Sequence, residues 1–264
     1  NIEYIKIDGK GSVDMSDLEN KLKKYPNSLV SLMHGNNEIG NMLDINVVAD
    51  LCNDMSVIFH SDTVQTVGHY NFDLVKLGAH GIVGSAHKFH GPKGIGFLYL
   101  NKSQKISPFI HGGSQERNMR GGTENVYGIV GLAEALELAD SNFENHKKYI
   151  LELKQRMING LKSKIQNIKF NGESANLNNS LYTVLNIAIP DIEDQQMFLF
   201  NLDINNISAS AGSACTSGSD AGSHVLQEIQ HHKKHVSVRF SFSKNNTIDE
   251  VDYVVDKIME IKNL

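Results

Sequence analysis

The sequence has no tryptophan and only 4 prolines and 2 cysteines in 264 residues. Because Cys52 and Cys215 are far apart, we expect no disulfide scaffold and a reducing, cytoplasmic compartment. Long apolar runs are also missing, so we expect no membrane-spanning helix and no membrane partner. Positive charge is not in excess, since 25 Lys and Arg stand against 30 Asp and Glu for a net charge of −5. This balance argues against nucleic acid as a partner.

The composition that remains is that of an ordinary globular protein, 40% hydrophobic and 21% charged with 22 glycines. Short β-rich runs alternate with helical patterns at 28–33, 56–62, 80–86 and 94–100, which predicts a mainly parallel sheet covered by helices. From about residue 125 two long helical stretches lead into a different pattern. We therefore expect an α/β fold with a large domain over residues 1–142 and a smaller α+β domain over 143–264.

The start of the chain is unusual, because Asn1 is followed directly by the strand-like run "IEYIKI" with no methionine before it. We expect a strand in this run. We also expect the chain to lack an N-terminal portion of its protein.

Polar residues follow three neighbouring predicted strands. In open α/β sheets, ligands bind outside the carboxyl ends of the strands. We therefore expect an amide, a carboxylate, a hydroxyl, an imidazole and an amine at one edge of the sheet. The residues that follow the strands and could supply them are His34, Asn36, Asn37, Glu38, Asp62, Gln65, Ser85, His87 and Lys88.

Lys88 lies in "GSAHKFHGPKGIGFLY", among small residues, glycines and an aromatic. These neighbours predict an amine held in apolar surroundings, where a lysine has a lowered pKa and can react with a carbonyl. Lys93 is the competing amine, but "GPKGIG" is typical of an exposed turn. At the next strand end, Asp62 is either an ordinary helix cap or the partner of a protonated pyridine nitrogen.

The two cysteines occupy different environments. Cys215 lies in "SASAGSACTSGSDAGSH", where glycine, serine and alanine predict a mobile, wet loop, so reactivity explains its presence better than packing. Cys52 lies in an amphipathic helical run and is expected to pack as a small hydrophobe. The cluster "HHKKH" at 231–235 is expected to be a solvated turn, and we expect no metal site.

Five segments in order, with "VRFSFSKNNT" after them, closely resemble the cysteine desulfurases, a group of class V aminotransferases that use pyridoxal phosphate (PLP). The segments are "MHGNNEIG", "HSDTVQTVGH", "GSAHKFHGPKGIG", "HGGSQERNMRGGTEN" and "SAGSACTSGSDAGSHVL". The resemblance implies the type I fold of PLP-dependent transferases.

The resemblance implies the following cofactor contacts. Lys88 matches the lysine that is bonded to PLP and later moves protons. Asp62 matches the partner of the pyridine nitrogen, and Gln65 the donor to the phenolic oxygen. Ser85 and His87 match contacts to the phosphate.

Further roles concern the substrate and a second subunit. Asn37 matches the asparagine near the phenolic oxygen and the substrate carboxylate, and Arg239 matches the arginine that binds that carboxylate. Thr123 matches the threonine that reaches the phosphate held by the other subunit of a homodimer. Cys215 matches the nucleophile that takes sulfur from L-cysteine as a persulfide, leaving L-alanine. The implied acceptor is an iron–sulfur scaffold or another sulfur-accepting protein.

Two family features are missing from this sequence, namely a phosphate-cradling loop and a ring-stacking histidine that lie upstream in relatives. The alternatives that stay open are a selenocysteine or cysteine sulfinate lyase, another class V transaminase, and a cofactor-free fragment that serves only in dimerisation or partner binding.

Overall fold

The computed structural model describes residues 1–192, 194–211, 223–229 and 235–263. The chain forms two compact units. We call residues Glu19–His34 and Asp44–Phe143 the parallel-sheet unit, and Asn1–Leu18, Gly35–Leu43 and Glu144–Leu264 the antiparallel-sheet unit. The division at 143/144 falls one residue after the expected end of the large domain, whereas residues 1–18 and 35–43 group with the C-terminal part of the chain. The domain assignment made from the sequence stays a prediction.

The parallel-sheet unit contains a four-stranded sheet in the order β1-β2-β3-β4. The first three strands are parallel and β4 runs antiparallel to β3, so the sheet is mainly parallel as predicted. The strands are β1 (Leu29–Met33), β2 (Ile58–Asp62), β3 (Gly81–Ser85) and β4 (Gly96–Leu100).

The helices of this unit are α2 (Ile45–Asp54) and α3 (Val126–Ser141), and α1 (Met15–Lys24) lies where the chain passes from one unit into the other. Helix α2 begins where the side chain of Asp44 accepts a hydrogen bond from the N–H of Val47. Its buried residues recur at the spacing of one helical face, which explains the amphipathic pattern of the sequence. They are Ile45, Val48, Ala49 and Cys52.

The antiparallel-sheet unit contains three strands in the order β5-β6-β7, with both pairings antiparallel. All seven residues of the central strand are buried. Helix α7 starts with a capping box between Thr247 and Glu250, in which two backbone N–H groups find side-chain acceptors. The elements are α4 (Phe143–Lys164), β5 (Lys169–Phe170), β6 (Val184–Pro190), α5 (Gln195–Ile204), α6 (His224–Glu228), β7 (His235–Ser241) and α7 (Ile248–Lys262).

The prediction of a strand at "IEYIKI" is wrong. Ile7 forms a single bridge with Val13, and Ile2 and Tyr4 are about 80% exposed. Alternating apolar residues make a strand only where a neighbouring strand supplies backbone partners and a face to bury them.

Candidate active site

The carboxyl ends of β1, β2 and β3 are aligned by the register of the parallel strands. Met33 is paired with Asp62, and Asp62 with Val83. The N–H of His34 donates to the carbonyl oxygen of Asp62 over 2.9 Å. Asp62, Ser85 and the turn that carries His87 and Lys88 therefore lie along one edge of this sheet, whereas Asn37 belongs to the antiparallel-sheet unit.

Asp62 presents a carboxylate at this edge. Its Oδ1 accepts a hydrogen bond of 2.9 Å from the N–H of Val64, whereas Oδ2 accepts none from the residues that the structure describes. The turn after Asp62 is held by Thr63, whose buried hydroxyl donates to the carbonyl oxygen of Val83 over 2.6 Å. Gln65 lies half-buried in the same turn. One oxygen of Asp62 is thus available to a ligand.

Ser85 and His87 lie next to each other where β3 ends. The Oγ of Ser85 and the Nδ1 of His87 are hydrogen-bonded over 2.8 Å. With a neutral imidazole, this hydrogen bond uses one of the two donors, and the other can donate to a phosphate. The structure brings together the two residues that the sequence assigned to one phosphate group.

Lys88 lies in a turn of 3₁₀-helix, Ala86–Phe89, that begins directly after β3. Ala86 and Phe89 are buried beneath the turn, whereas His87 and Lys88 are exposed. The expectation that the amine lies in apolar surroundings is therefore wrong, because the apolar residues anchor the backbone of the turn and leave the side chain of Lys88 outside. The carbonyl oxygen of Lys88 accepts a hydrogen bond of 2.9 Å from Nε2 of His69.

Lys93, the competing amine, is exposed as well, in the loop before β4. Exposure therefore does not tell which lysine reacts. The two lysines differ in how firmly their backbone is packed. Lys88 belongs to a turn with a buried side chain at each end, whereas Gly94, next to Lys93, has open space where a Cβ would stand.

Thr123 is exposed in the loop before α3. Helix α3 begins at Val126 and is capped by the side chain of Asn125, which accepts from the N–H of Gly128. The first turn of this helix exposes large apolar side chains, with Tyr127 91% exposed. Thr123 therefore stands beside an apolar surface.

His34, one of the polar residues expected to follow β1, is buried in the parallel-sheet unit. Its Nδ1 and the Oγ1 of Thr66 share a hydrogen bond of 3.0 Å, and its ring meets Phe72 edge-on. Burial lowers the pKa of His34 to about 4, with the charge of Asp44 acting weakly in the opposite direction. The imidazole is consequently neutral near pH 7.

The two residues assigned to substrate binding lie in the antiparallel-sheet unit. Nη1 of Arg239, on β7, donates a hydrogen bond of 3.0 Å to the carbonyl oxygen of Asn37. The backbone of Arg239 pairs with Asn186 on β6 and with Ser210 on its other side. A guanidinium held in this way keeps donors for a carboxylate. Its burial lowers the pKa of Arg239, and the negative charge of Glu38 opposes that shift.

Cys215, the predicted nucleophile, lies outside the described residues. The described residues on either side of it are 194–211 and 223–229. Cys52 is completely buried in α2, and burial raises the pKa of its thiol to about 11. The packing role predicted for Cys52 is confirmed.

Lys154 on α4 is a completely buried lysine. Its Nζ donates to the Oγ of Ser180 over 2.8 Å and to the carbonyl oxygen of Leu181 over 2.7 Å. Burial lowers the pKa of Lys154 to about 7. Its sequence context, "LELKQRM", is that of any solvated helix face, so only the fold reveals it.

Comparison with known structures defines the class of protein. A NifS-like protein from Rickettsia africae matches all of this chain with a TM-score of 0.90 and 30% identity, and the chain covers 70% of that structure. Another NifS-like protein matches with a TM-score of 0.88 and 34% identity, with 68% of its chain covered. The expected α/β type I fold is confirmed by these similarities.

The sequence model of the family described as aminotransferase class-V matches residues 1–254, and the chain belongs to that family. Relatives include the cysteine desulfurase IscS of Clostridium botulinum, 38% identical over 262 residues and 98% of this chain. That of Methanosarcina thermophila is 39% identical over 262 residues, also 98% of this chain, and 63% of its own length is covered. The chain spans about 65% of the length of the Clostridium relative.

The donor set at the carboxyl edge of the parallel sheet fits the cofactor of this family. PLP requires an amine, an anion for its ring nitrogen and donors for its phosphate. Lys88, Asp62 and His87 are exposed, and one oxygen of Asp62 accepts no hydrogen bond from the described part of the chain. The residues present therefore match the groups that the cofactor needs.

Within the described ranges, no group of three or more His, Cys, Asp or Glu side chains is arranged to hold a metal ion. In the same ranges, each helix is too short or too polar to cross a membrane. Residues 231–234 of the "HHKKH" cluster lie outside the described part of the chain.

Proposed function

We propose that the protein to which this chain belongs is a cysteine desulfurase, which converts L-cysteine to L-alanine and carries the sulfur as a persulfide on Cys215. The observation that carries the proposal is the placement of Asp62, Ser85, His87 and Lys88 along one sheet edge in a chain 38% identical to a named cysteine desulfurase.

PLP is the proposed cofactor, and when bound it supplies an electron sink for negative charge at the substrate's α-carbon. Lys88 would hold the aldehyde carbon of PLP and then move the α-proton. Asp62 would keep the ring nitrogen protonated through its available oxygen, and Gln65 would donate to the phenolic oxygen. Ser85 and His87 would donate hydrogen bonds to the phosphate.

Arg239 would bind the α-carboxylate of L-cysteine, and Asn37 would contact the same carboxylate. Their hydrogen bond of 3.0 Å fixes the guanidinium through a backbone carbonyl, which leaves the Asn37 side-chain amide free to serve another group. Planar bidentate donation suits a carboxylate, so this pair orients the amino acid substrate.

The sulfur step is assigned to Cys215. Its thiolate attacks the sulfur of the substrate, so that an S–S bond forms while the bond from sulfur to the β-carbon breaks. The electron pair of the broken bond stays with the substrate carbon, which takes up a proton and becomes alanine. No external oxidant is required, because the sulfur passes from carbon to a thiolate.

The proposed assembly is a cytoplasmic homodimer that delivers sulfur to an iron–sulfur scaffold or another acceptor protein. Thr123 is exposed beside the apolar start of α3, where Val126, Tyr127 and Val130 of the first two turns are more than half exposed. A second copy of the chain would cover these side chains, and Thr123 would then contact the phosphate of the PLP bound to that second copy.

The test is an absorption spectrum of the chain mixed with PLP, followed by alanine and sulfide assays with L-cysteine. We expect a lysine-bound cofactor band that Lys88→Ala abolishes and Lys93→Ala retains. Cys215→Ala should abolish desulfuration, and Cys52→Ala should retain it. If Lys88→Ala keeps the band, Lys88 is not the lysine that holds PLP.

The alternatives are decided by the same preparation. Desulfuration that survives Cys215→Ala, with selenocysteine or cysteine sulfinate giving more alanine than L-cysteine, favours a different lyase. Binding of PLP without any alanine favours a transaminase. Absence of the band under all conditions favours a cofactor-free role.

A further inference from the structure

The pairing between β2 and β3 is short, since it joins residues 60–62 only to residues 81–83. The two strands nevertheless carry different parts of the candidate site. Strand β2 ends at Asp62, and β3 leads directly into the turn Ala86–Phe89 that carries Lys88. A ligand that contacts both groups at once needs them at a fixed separation. That separation depends on what joins the two strands at their carboxyl ends.

Thr63 joins the two strands just past the last pair of residues. It is completely buried, and its Oγ1 donates a hydrogen bond of 2.6 Å to the carbonyl oxygen of Val83. Val83 is the residue paired with Asp62, and it lies two positions before Ser85. One side-chain hydrogen bond therefore ties the backbone that carries the Asp62 carboxylate to the strand that leads into the other site residues.

The backbone of Thr63 is held as firmly as its side chain. Its carbonyl oxygen accepts from the N–H groups of Thr66 and Val67, both at 2.9 Å, and from the Oγ1 of Thr66 at 3.1 Å. Because this hydroxyl donates to Thr63, it accepts in its 3.0 Å hydrogen bond with Nδ1 of His34. The backbone N–H of His34 in turn donates to the carbonyl oxygen of Asp62. The turn after β2 is thus bound to the ends of both β1 and β3.

We propose that Thr63 is a positioning residue, which sets the distance between the Asp62 carboxylate at the end of β2 and the amine and phosphate-binding residues at the end of β3. The inference rests on the proposed function for the identity of the ligand, PLP. Thr63 is buried whereas Asp62 is exposed, so Thr63 acts through the backbone and not by contact with the cofactor. Threonine suits this role, because its hydroxyl makes the hydrogen bond and its branched Cβ restricts the side-chain rotamer.

The first test compares PLP with 1-deazapyridoxal phosphate, in which a C–H group replaces the ring nitrogen. Both ligands use the residues at the end of β3, but only PLP has a nitrogen for Asp62. We expect Thr63→Val to bind PLP about tenfold more weakly than the parent in absorbance titrations, with less than about a twofold change for the deaza ligand. Equal losses for the two ligands, or an unchanged affinity for PLP, overturn the proposal.

Two further variants separate positioning from general damage. Thr63→Ser keeps the hydroxyl and should restore the affinity ratio of the parent. Ser174→Ala is the matched control, since its buried Oγ donates to the carbonyl oxygen of Asn186 over 2.9 Å in the antiparallel-sheet unit, and it should leave the ratio unchanged. If Thr63→Val does not fold, Thr63→Ala takes its place, because it removes the hydroxyl without adding a buried methyl.

The second test needs no cofactor. Amide exchange of the N–H of His34, which is bound to the carbonyl oxygen of Asp62, is measured relative to the slowest amides of the parallel-sheet unit. We expect it to be about tenfold faster in Thr63→Val, and as in the parent in Thr63→Ser and Ser174→Ala. An unchanged rate in Thr63→Val overturns the proposal. If the parent binds no PLP, the proposed function fails for this chain, whereas the exchange rates still decide whether Thr63 holds the strand ends together.

Discussion

The backbone of Gly68 lies directly against the side chain of Phe89, so that a Cβ at position 68 would stand 2.5 Å from the Cβ of Phe89. Phe89 is the buried anchor of the 3₁₀ turn that carries Lys88, and it packs with Val67 and Ala86. Because Gly68 also has a φ of 77°, both space and conformation require glycine there.

Gly68→Ala is therefore expected to destabilise the chain by about 3 kcal/mol, since it adds an overpacked contact to an unfavourable φ. Gly94→Ala is the matched control, because Gly94 has a φ of 79° with nothing within 4 Å of the added Cβ. It should cost only about 1 kcal/mol. Urea unfolding of both variants is the measurement, and equal losses would show that Phe89 yields to the extra methyl.

The lowered pKa of Lys154 predicts that the free energy of unfolding rises with pH above about pH 7. Its pKa is lowered from 10.5 in the unfolded chain to about 7 in the folded one, so between these values the unfolded state binds more protons. Unfolding free energy should therefore increase with pH across that window, by up to about 1.4 kcal/mol per pH unit from this group.

The check on Lys154 is urea unfolding at several pH values for the parent and Lys154→Met. The variant leaves the carbonyl oxygen of Leu181 without its donor, which lowers stability at every pH. Only the slope reports on the titration. An unchanged slope in Lys154→Met would mean that the ammonium is not the source of the dependence.

The lowered pKa of His34 predicts that the free energy of unfolding falls in acid. Its pKa falls from 6.5 in the unfolded chain to about 4 in the folded one, so the unfolded state takes up the proton first as pH decreases. Up to about 3 kcal/mol should be lost between pH 6.5 and 4. His34→Phe keeps a ring against Phe72 and removes the titration. Between pH 6.5 and 4, His34→Phe should therefore lose less unfolding free energy than the parent, each compared with its own value at neutral pH.

Asn186 joins several buried polar groups, and its truncation should be costly. Its Nδ2 donates to the carbonyl of Glu38, and its Oδ1 accepts from Nδ2 of Asn171. Asn186→Ala leaves the buried carbonyl oxygen of Glu38 without its donor and removes one of the two acceptors of Asn171 Nδ2, the other being Ser237 Oγ, which should destabilise the chain by about 3 kcal/mol. Asn159→Ala, at an exposed position of α4, should change stability by less than about 0.5 kcal/mol in thermal unfolding. Similar losses in the two variants contradict the importance of the buried network.

The sheet edge could be predicted from the sequence because its signals are local. Each strand of the parallel-sheet unit is a short apolar run bounded by glycine or polar residues, and the site residues follow the strands directly. The pairing of Ser85 with His87 spans only two positions, so it too was within reach of sequence reasoning.

The remaining features depend on contacts between distant residues. Glu38 and Ser223 are 185 positions apart, and Lys154 reaches the carbonyl of Leu181 across 27. Composition around Lys88 gave the wrong environment, because apolar neighbours in sequence can face away from the side chain between them. The functional roles of Asn37, Thr123, Arg239 and Cys215 stay predictions.

The pairing of β7 ties the location of a cation to ordinary hydrophobic packing. Because side chains alternate along a strand, a slip of one residue would deliver Val238 or Phe240 where Arg239 now stands. The position of the Arg239 guanidinium, and with it the carboxylate binding proposed for it, therefore depends on the pattern of valine and phenylalanine residues around it in β7. A conservative change to that pattern, remote from any ligand, could therefore alter which molecules the protein accepts.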